Sequence, residues 1–205
     1  YQKEVTEVTV YTADHPGLFS RIAGAMASIG ANIVDARITT MRNGMALDSF
    51  WVHEPKLNYS EKMSSTDYIN SAIKLSLNGE LKINDAIQKR PGNFPKRARS
   101  MTTAPRVLID NKASTTHTVL EVNGTDRPGL LHQLTRKIAQ QNLQINSAKI
   151  STYGTSIVDV FYVKDLFGLK IQSDRRINLI RKYILDELQS HSDGVMTEIE
   201  PNQTK

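Results

Sequence analysis

The chain has 205 residues, 39% of them hydrophobic, no cysteine, and a net charge of +5 from 26 Lys+Arg against 21 Asp+Glu. That length supplies one large or two small cores, and the lack of cysteine excludes disulfides, thiolate metal sites and a cysteine nucleophile. No apolar run approaches the roughly 18 residues a membrane helix needs. The chain opens at Tyr1 with no basic-then-apolar leader, so the expectation is a cytoplasmic piece of a longer protein, with no membrane partner.

The charge is local. Between Lys82 and Lys112 stand eight basic residues against Asp85 and Asp110, so the remainder of the chain is close to neutral. A basic segment is not a basic fold, and the Lys/Arg-Gly-Phe/Tyr signature of RNA-recognition sheets is missing around Phe50 and Trp51. No nucleic-acid partner is expected.

In chain order, residues 4–12 alternate as a strand. Asp14-His15-Pro16-Gly17-Leu18-Phe19 follows and opens a helix in which Leu18, Ile22, Met26 and Ile29 recur at helical spacing. Residues 31–41 are β-branched and read as a second strand, Asn43-Gly44 as a hairpin turn, and 45–52 as the returning strand. Thr66 or Asp67 opens a second helix through Ile69, Ile73 and Leu77, which Asn78-Gly79 interrupts before 81–89. Residues 90–105, with Pro91, Gly92, Pro95 and Pro105, read as an irregular basic loop, and 106–110 as the fourth strand.

The order then restarts. Residues 116–122 alternate, and Asp126-Arg127-Pro128-Gly129-Leu130-Leu131 repeats the first loop at an offset of 112 (126 − 14). Leu130, Leu134 and Ile138 continue a helix, and 143–153, a turn at Gly154-Thr155 and 156–163 repeat the two strands. Ser173 caps a helix whose stripe is Ile177, Ile180, Ile184, Leu185 and Leu188, and 195–200 is the last strand. Ala36, Ile38 and Thr40 match Ala148, Ile150 and Thr152; one residue out of phase, Asp48 to Val52 matches Asp159 to Val163. The expected fold is α+β: two ferredoxin-like βαββαβ units over 1–111 and 112–205, joined near 111–114. Each would be a four-stranded antiparallel sheet with helices on one face.

The repeated loop has two readings. Pro16 and Pro128 suit a first helical turn, and Asp14 and Asp126 can cap it. Alternatively, Gly17 and Gly129 admit a ligand, whose carboxylate meets N–H groups at the helix start while the aspartate receives its ammonium. Residues alone leave both open.

The loops, the Gly30-Ala31-Asn32-Ile33 entry to the second strand and the element order resemble ACT domains, small regulatory modules that bind amino acids. The resemblance implies a ligand between the loop and the start of the second strand, often where two modules meet. Carried onto this chain, the contacts are Asp14, His15, Gly17, Leu18, Asn32 and Ile33, and in the second copy Asp126, Arg127, Gly129, Leu130, Gln144 and Ile145. Longer stretches, Val8 to Ala25, Asp35 to Thr40, Gly44 to Val52, Pro105 to Ser114 and Thr118 to Leu131, resemble the family of bifunctional uridylyltransferase/uridylyl-removing enzymes acting on the PII nitrogen-signalling protein. This implies a glutamine sensor, upstream nucleotidyltransferase and hydrolase domains that use Mg, PII as a partner of the parent enzyme, and a homodimer. The rival is a ligand-free dimerisation or scaffold module.

No Gly-Ser followed by Asp-x-Asp, adjacent His-Asp pair or phosphate loop is present, so no catalytic residue and no cofactor are expected in this stretch. The five histidines include no i, i+4 pair, so no metal site is expected. Asp48 and Asp159 recur inside apolar strands and are expected to face solvent or a partner module, the choice staying open. Trp51 and Tyr162, beside Phe50 and Phe161, imply a covered sheet face, by pairing of the two modules or across a dimer.

Overall fold

The computed structural model describes residues 5–55, 64–89 and 103–190. Its first half contains β1 (Thr6–Ala13), α1 (Leu18–Ile29), β2 (Asn32–Arg37), β3 (Met45–His53), α2 (Ser65–Leu77) and α3 (Ile83–Lys89). Then follow β4 (Arg106–Asp110), β5 (Thr118–Thr125), α4 (Leu130–Gln140), β6 (Leu143–Lys149), β7 (Thr152–Tyr153), β8 (Ser156–Asp165) and α5 (Asp174–Gln189). Among the described residues, no helix is long and apolar enough to cross a membrane.

The strands join one antiparallel sheet in the order β1-β3-β2-β6-β8-β5-β4, with β7 paired to β8. The join is β2 against β6, where Asp35, Ala36 and Arg37 oppose Lys149, Ala148 and Ser147. Ala36 and Ala148 are fully buried there, and Lys149 pairs with Asp35 on the open side. Small side chains at the join let α1 and α4 pack side by side above it. Gly24 is part of the same fit: a Cβ there would stand 2.8 Å from His132 Nδ1.

A polar tie crosses the α1–α4 contact. His132 Nδ1 lies 2.7 Å from the Ser20 carbonyl, which can only accept, so that nitrogen carries the proton. Ser20 Oγ donates back to the His132 carbonyl at 3.1 Å. Burial lowers the His132 pKa, which favours the neutral ring.

Alternation decides which strand residues face the helices. On β3, Ala46, Asp48, Phe50 and Val52 are buried while Leu47 is exposed; on β8, Ile157, Asp159, Phe161 and Val163 are the inward set. Phe19 stacks tilted on Phe50, with centroids 5.3 Å apart. One apolar cluster runs through both halves, from Val10 and Ile22 to Ile184 and Leu188. Trp51 and Tyr162 are half-buried on the other face. The two halves meet edge to edge rather than face to face.

Three expectations change. Residues 106–110 form a strand but pair with β5, Val107 opposite Val122 and Ile109 opposite Leu120, not with the first half. The fourth strand expected to close the first sheet therefore extends the second. Residues 111–114 belong to the hairpin between β4 and β5 rather than to a joint between units, held by Asn111 Nδ2 donating to the Ile171 carbonyl at 2.7 Å. A short connection closes an antiparallel hairpin at small entropic cost, and α5 covers the result. Second, α2 starts earlier than Thr66, because Ser64 caps it and Asp67 closes a capping box. Third, the strand expected over 31–41 ends at Arg37, because Ile38 N–H crosses to the Asn146 carbonyl at 2.9 Å and Thr39 N–H turns inward.

The interruption at Asn78-Gly79, with Gly79 at φ 78°, and the Ser173 cap of α5 stand as expected. Residues 195–200, most of the 90–105 loop and His191 lie outside the described residues. Among the described residues the outer edge of β1 has no strand partner.

Candidate functional site

The repeated corner is a turn before it is a helix. Leu18 N–H donates to the His15 carbonyl at 3.1 Å, and Leu130 N–H to the Arg127 carbonyl at 3.1 Å. Gly17 has φ 84° and ψ 6°, Gly129 φ 77° and ψ 5°, each just after a proline. These are type II turns, in which proline presets the second position and glycine supplies the positive φ of the third. Neither α1 nor α4 has a side-chain cap. The capping role expected of Asp14 and Asp126 is thereby corrected, since the glycine is the N-cap, three residues beyond the aspartate. Pro16 and Pro128 likewise sit in the turn rather than in the helix.

Freed from capping, Asp14 accepts through Oδ2 from the Thr40 hydroxyl at 2.6 Å. The Leu18 amide is already used, so the donors left at the start of α1 are Gly17, Phe19 and Ser20, which have no acceptor within their own helix. Of the expected donors around Gly17–Leu18, the Leu18 amide is taken by the turn.

A cavity of about 320 Å³ opens between this loop and the start of β6. Asp14, His15, Gly17 and Leu18 line one side; Gln144 and Ile145 line the other. Its size falls at the small end of ligand sites, roughly 300–1,000 Å³. The loop of the first copy thus meets the second strand of the second copy. Asn32 and Ile33 are elsewhere, Asn32 exposed opposite His53 and Ile33 buried in the core. Sequence reasoning missed Thr40, Asp48, Asn142, Asn146 and Leu166 in the lining. A carboxylate inside an apolar strand was the one available signal among them.

The second loop has a different environment. Around Gly17, nothing stands within 4 Å of where a Cβ would be, whereas at Gly129 Ile87 Cδ1 of α3 lies 2.9 Å away. Arg127 donates to Gln133 Oε1 at 2.6 Å and to the Glu187 carbonyl at 3.1 Å, and pairs with the Glu187 carboxylate at 3.3 Å. Lys137 reaches the same carboxylate at 3.5 Å. Asp126 is raised by burial, with the Arg127 amide and charge pulling it back. Helix α3 therefore occupies the space at Gly129, and α5 engages Arg127.

The two strand aspartates face the helices rather than solvent or a partner module. Asp48 is fully buried; its Oδ1 accepts from Thr39 N–H at 3.2 Å, and its Oδ2 has no hydrogen-bond partner. Burial pushes its pKa up to about 6, opposed by the Thr39 N–H and reinforced by Asp14. Asp159 accepts from Ser151 N–H at 3.2 Å. Burial pushes it up to about 7, opposed by that N–H and reinforced by Asp126. Each N–H is one the chain leaves behind where the preceding strand ends.

A larger hollow of about 520 Å³ runs along Gly168 to Ser173 and Arg176. It includes neither repeated loop and neither Asp48 nor Asp159, and Lys170 in its wall donates to the Asn111 and Ser114 carbonyls. Among the described residues no group of three or more His, Asp or Glu could hold a metal ion.

Residues 113–191 match the family model described as the ACR family N-terminal ACT domain. That segment is similar to ACT domains. Across nearly the whole chain the similarity is to bifunctional uridylyltransferase/uridylyl-removing enzymes. Identity is 50% over 194 residues with the Azospirillum brasilense protein, covering 93% of this chain and 20% of that one. It is 48% over 181 residues with the Rhodospirillum rubrum protein, 88% of this chain and 19% of that one. With the Gluconobacter oxydans protein it is 48% over 190 residues, 92% and 20% respectively. The chain is homologous to part of these enzymes and spans about a fifth of their length. Within the matched segment lie Asp126 to Leu130, the covered loop, and Gln144 and Ile145, which face the open cavity from β6.

Proposed function

We propose that this chain is the amino-acid-sensing region of a bifunctional uridylyltransferase/uridylyl-removing enzyme, with glutamine as its ligand. The observation that carries the reading is the cavity between the Asp14 loop and β6, which offers amide donors on one side, carboxylates on another and the Gln144 amide opposite. A free amino acid needs that combination: acceptors for its ammonium, N–H groups for its carboxylate and an amide partner for its side chain. Bound there, glutamine touches both halves of the sheet and favours the packing that best fits it. Through that packing it biases catalytic domains elsewhere in the polypeptide between uridylylation and deuridylylation of PII.

Calorimetry on the chain with glutamine, glutamate, asparagine and serine tests the reading. Glutamine-selective heat is expected, and Asp14→Ala should weaken it by on the order of tenfold or more, through loss of a charge-assisted contact. No heat with any amino acid rejects the sensor and favours the scaffold module.

The covered second loop makes a separate prediction. One glutamine should bind per chain, and Asp126→Ala should leave its affinity within about twofold, since side chains that touch no ligand rarely alter affinity further. A stoichiometry of two would show that α3 leaves the second loop when ligand is present.

A further inference from the structure

We infer that Asp48 is a ligand-contacting residue, whose unpartnered Oδ2 receives the cationic ammonium of the amino acid together with Asp14. The inference rests on the proposed amino-acid site and adds to it the residue at its floor. Asp48 sits on β3 among Ala46, Phe50 and Val52, where a side chain should be apolar. It is 0% exposed, yet it lines the cavity. One oxygen is satisfied by the Thr39 amide; the other has no donor from the protein. A buried carboxylate oxygen left without a donor is costly unless something supplies one.

The donor that fits is a cation. Asp14 and Asp48 are the acidic groups in the cavity wall, His15 is the remaining titratable one, and no Lys or Arg lines it. Two carboxylates without a basic partner repel each other, and a single ammonium between them relieves both. The opposite wall offers the neutral amides of Asn142, Gln144 and Asn146, which suit the other end of the ligand.

Binding is then linked to proton release. Burial already holds Asp48 partly protonated near pH 6. An ammonium beside it favours the ionised form, so affinity should fall as pH drops through 6 and protons should be released on binding there.

The experiment is titration calorimetry of the whole chain with glutamine at pH 5, 6, 7 and 7.5, in two buffers of different ionisation enthalpy. For the unsubstituted chain, affinity should drop by about tenfold between pH 7.5 and 5, with proton release largest near pH 6. Asp48→Asn should bind about tenfold more weakly at pH 7.5 and lose both the proton release and most of the slope, although His15 is still present. Its thermal stability at pH 7.5 should be at least that of the unsubstituted chain, which separates lost contact from lost fold. An Asp48→Asn variant that binds with unchanged affinity and pH profile overturns the role of Asp48 alone. A chain that binds no amino acid at any pH overturns the sensor reading and this one with it.

Discussion

Asp159→Asn should make the chain more stable at pH 8 and less sensitive to pH between 4 and 8. In the folded chain the Asp159 carboxyl is held up to about 7, against an ordinary value of 3.8. The unfolded chain gives up that proton near pH 4, the folded chain only near 7. Stability contributed by the neutral acid is therefore complete below pH 4 and is lost as pH rises through 7. At about 1.4 kcal/mol per unit, the loss by pH 8 is roughly 2–4 kcal/mol once local relaxation is allowed for. An asparagine keeps an acceptor for the Ser151 amide without carrying the charge. Urea unfolding at pH 4, 6 and 8 reads the difference. If the variant gains nothing at pH 8, Asp159 is stabilised as a carboxylate by something other than the Ser151 N–H. Asp48→Asn should follow the same course over a lower window, ending near 6.

Val107→Asp should cost about 3 kcal/mol or more, as an unpaired charge placed in a core does. Val107 is buried beneath α5, opposite Val122. The location of the damage is the informative part. Because β4 belongs to the sheet of the second half, hydrogen exchange should rise at Leu120 to Val122 and along α5 at Ile180 and Ile184. Amides of β1 at Val8 and Val10 should keep their protection at denaturant concentrations below the global transition. Equal loss in β1 would place β4 beside the first half, as the sequence order led one to expect.

Much of the fold was legible because its cues are local. Alternation at Val8-Thr9-Val10 and the stripe Leu130, Leu134, Ile138 are readable within one element, and a Gly at a turn reports its own φ. Pro16-Gly17 was legible as a corner, though its type was misjudged. Helix-capping chemistry and a type II turn draw on the same residues, and only the hydrogen bond from Leu18 to His15 separates them. Asp48 was visible as an anomaly but not as part of a cavity, since its neighbour Gln144 is nearly a hundred residues away in sequence.

What the sequence determined by itself is therefore the repeat, the elements and the two identical turns, all set by φ preferences and side-chain periodicity over a few residues. What only the tertiary structure decided is pairing. Period-two alternation states that 106–110 is a strand and says nothing of its neighbour; the short hairpin to β5 and the cover of α5 chose it. Edge pairing of β2 with β6 brought the first loop to Gln144 rather than to Asn32, and packing of Ile87 on Gly129 made two like loops unlike. Backbone edges and apolar faces accept any complementary partner, so the choice lies in which burial the whole chain completes.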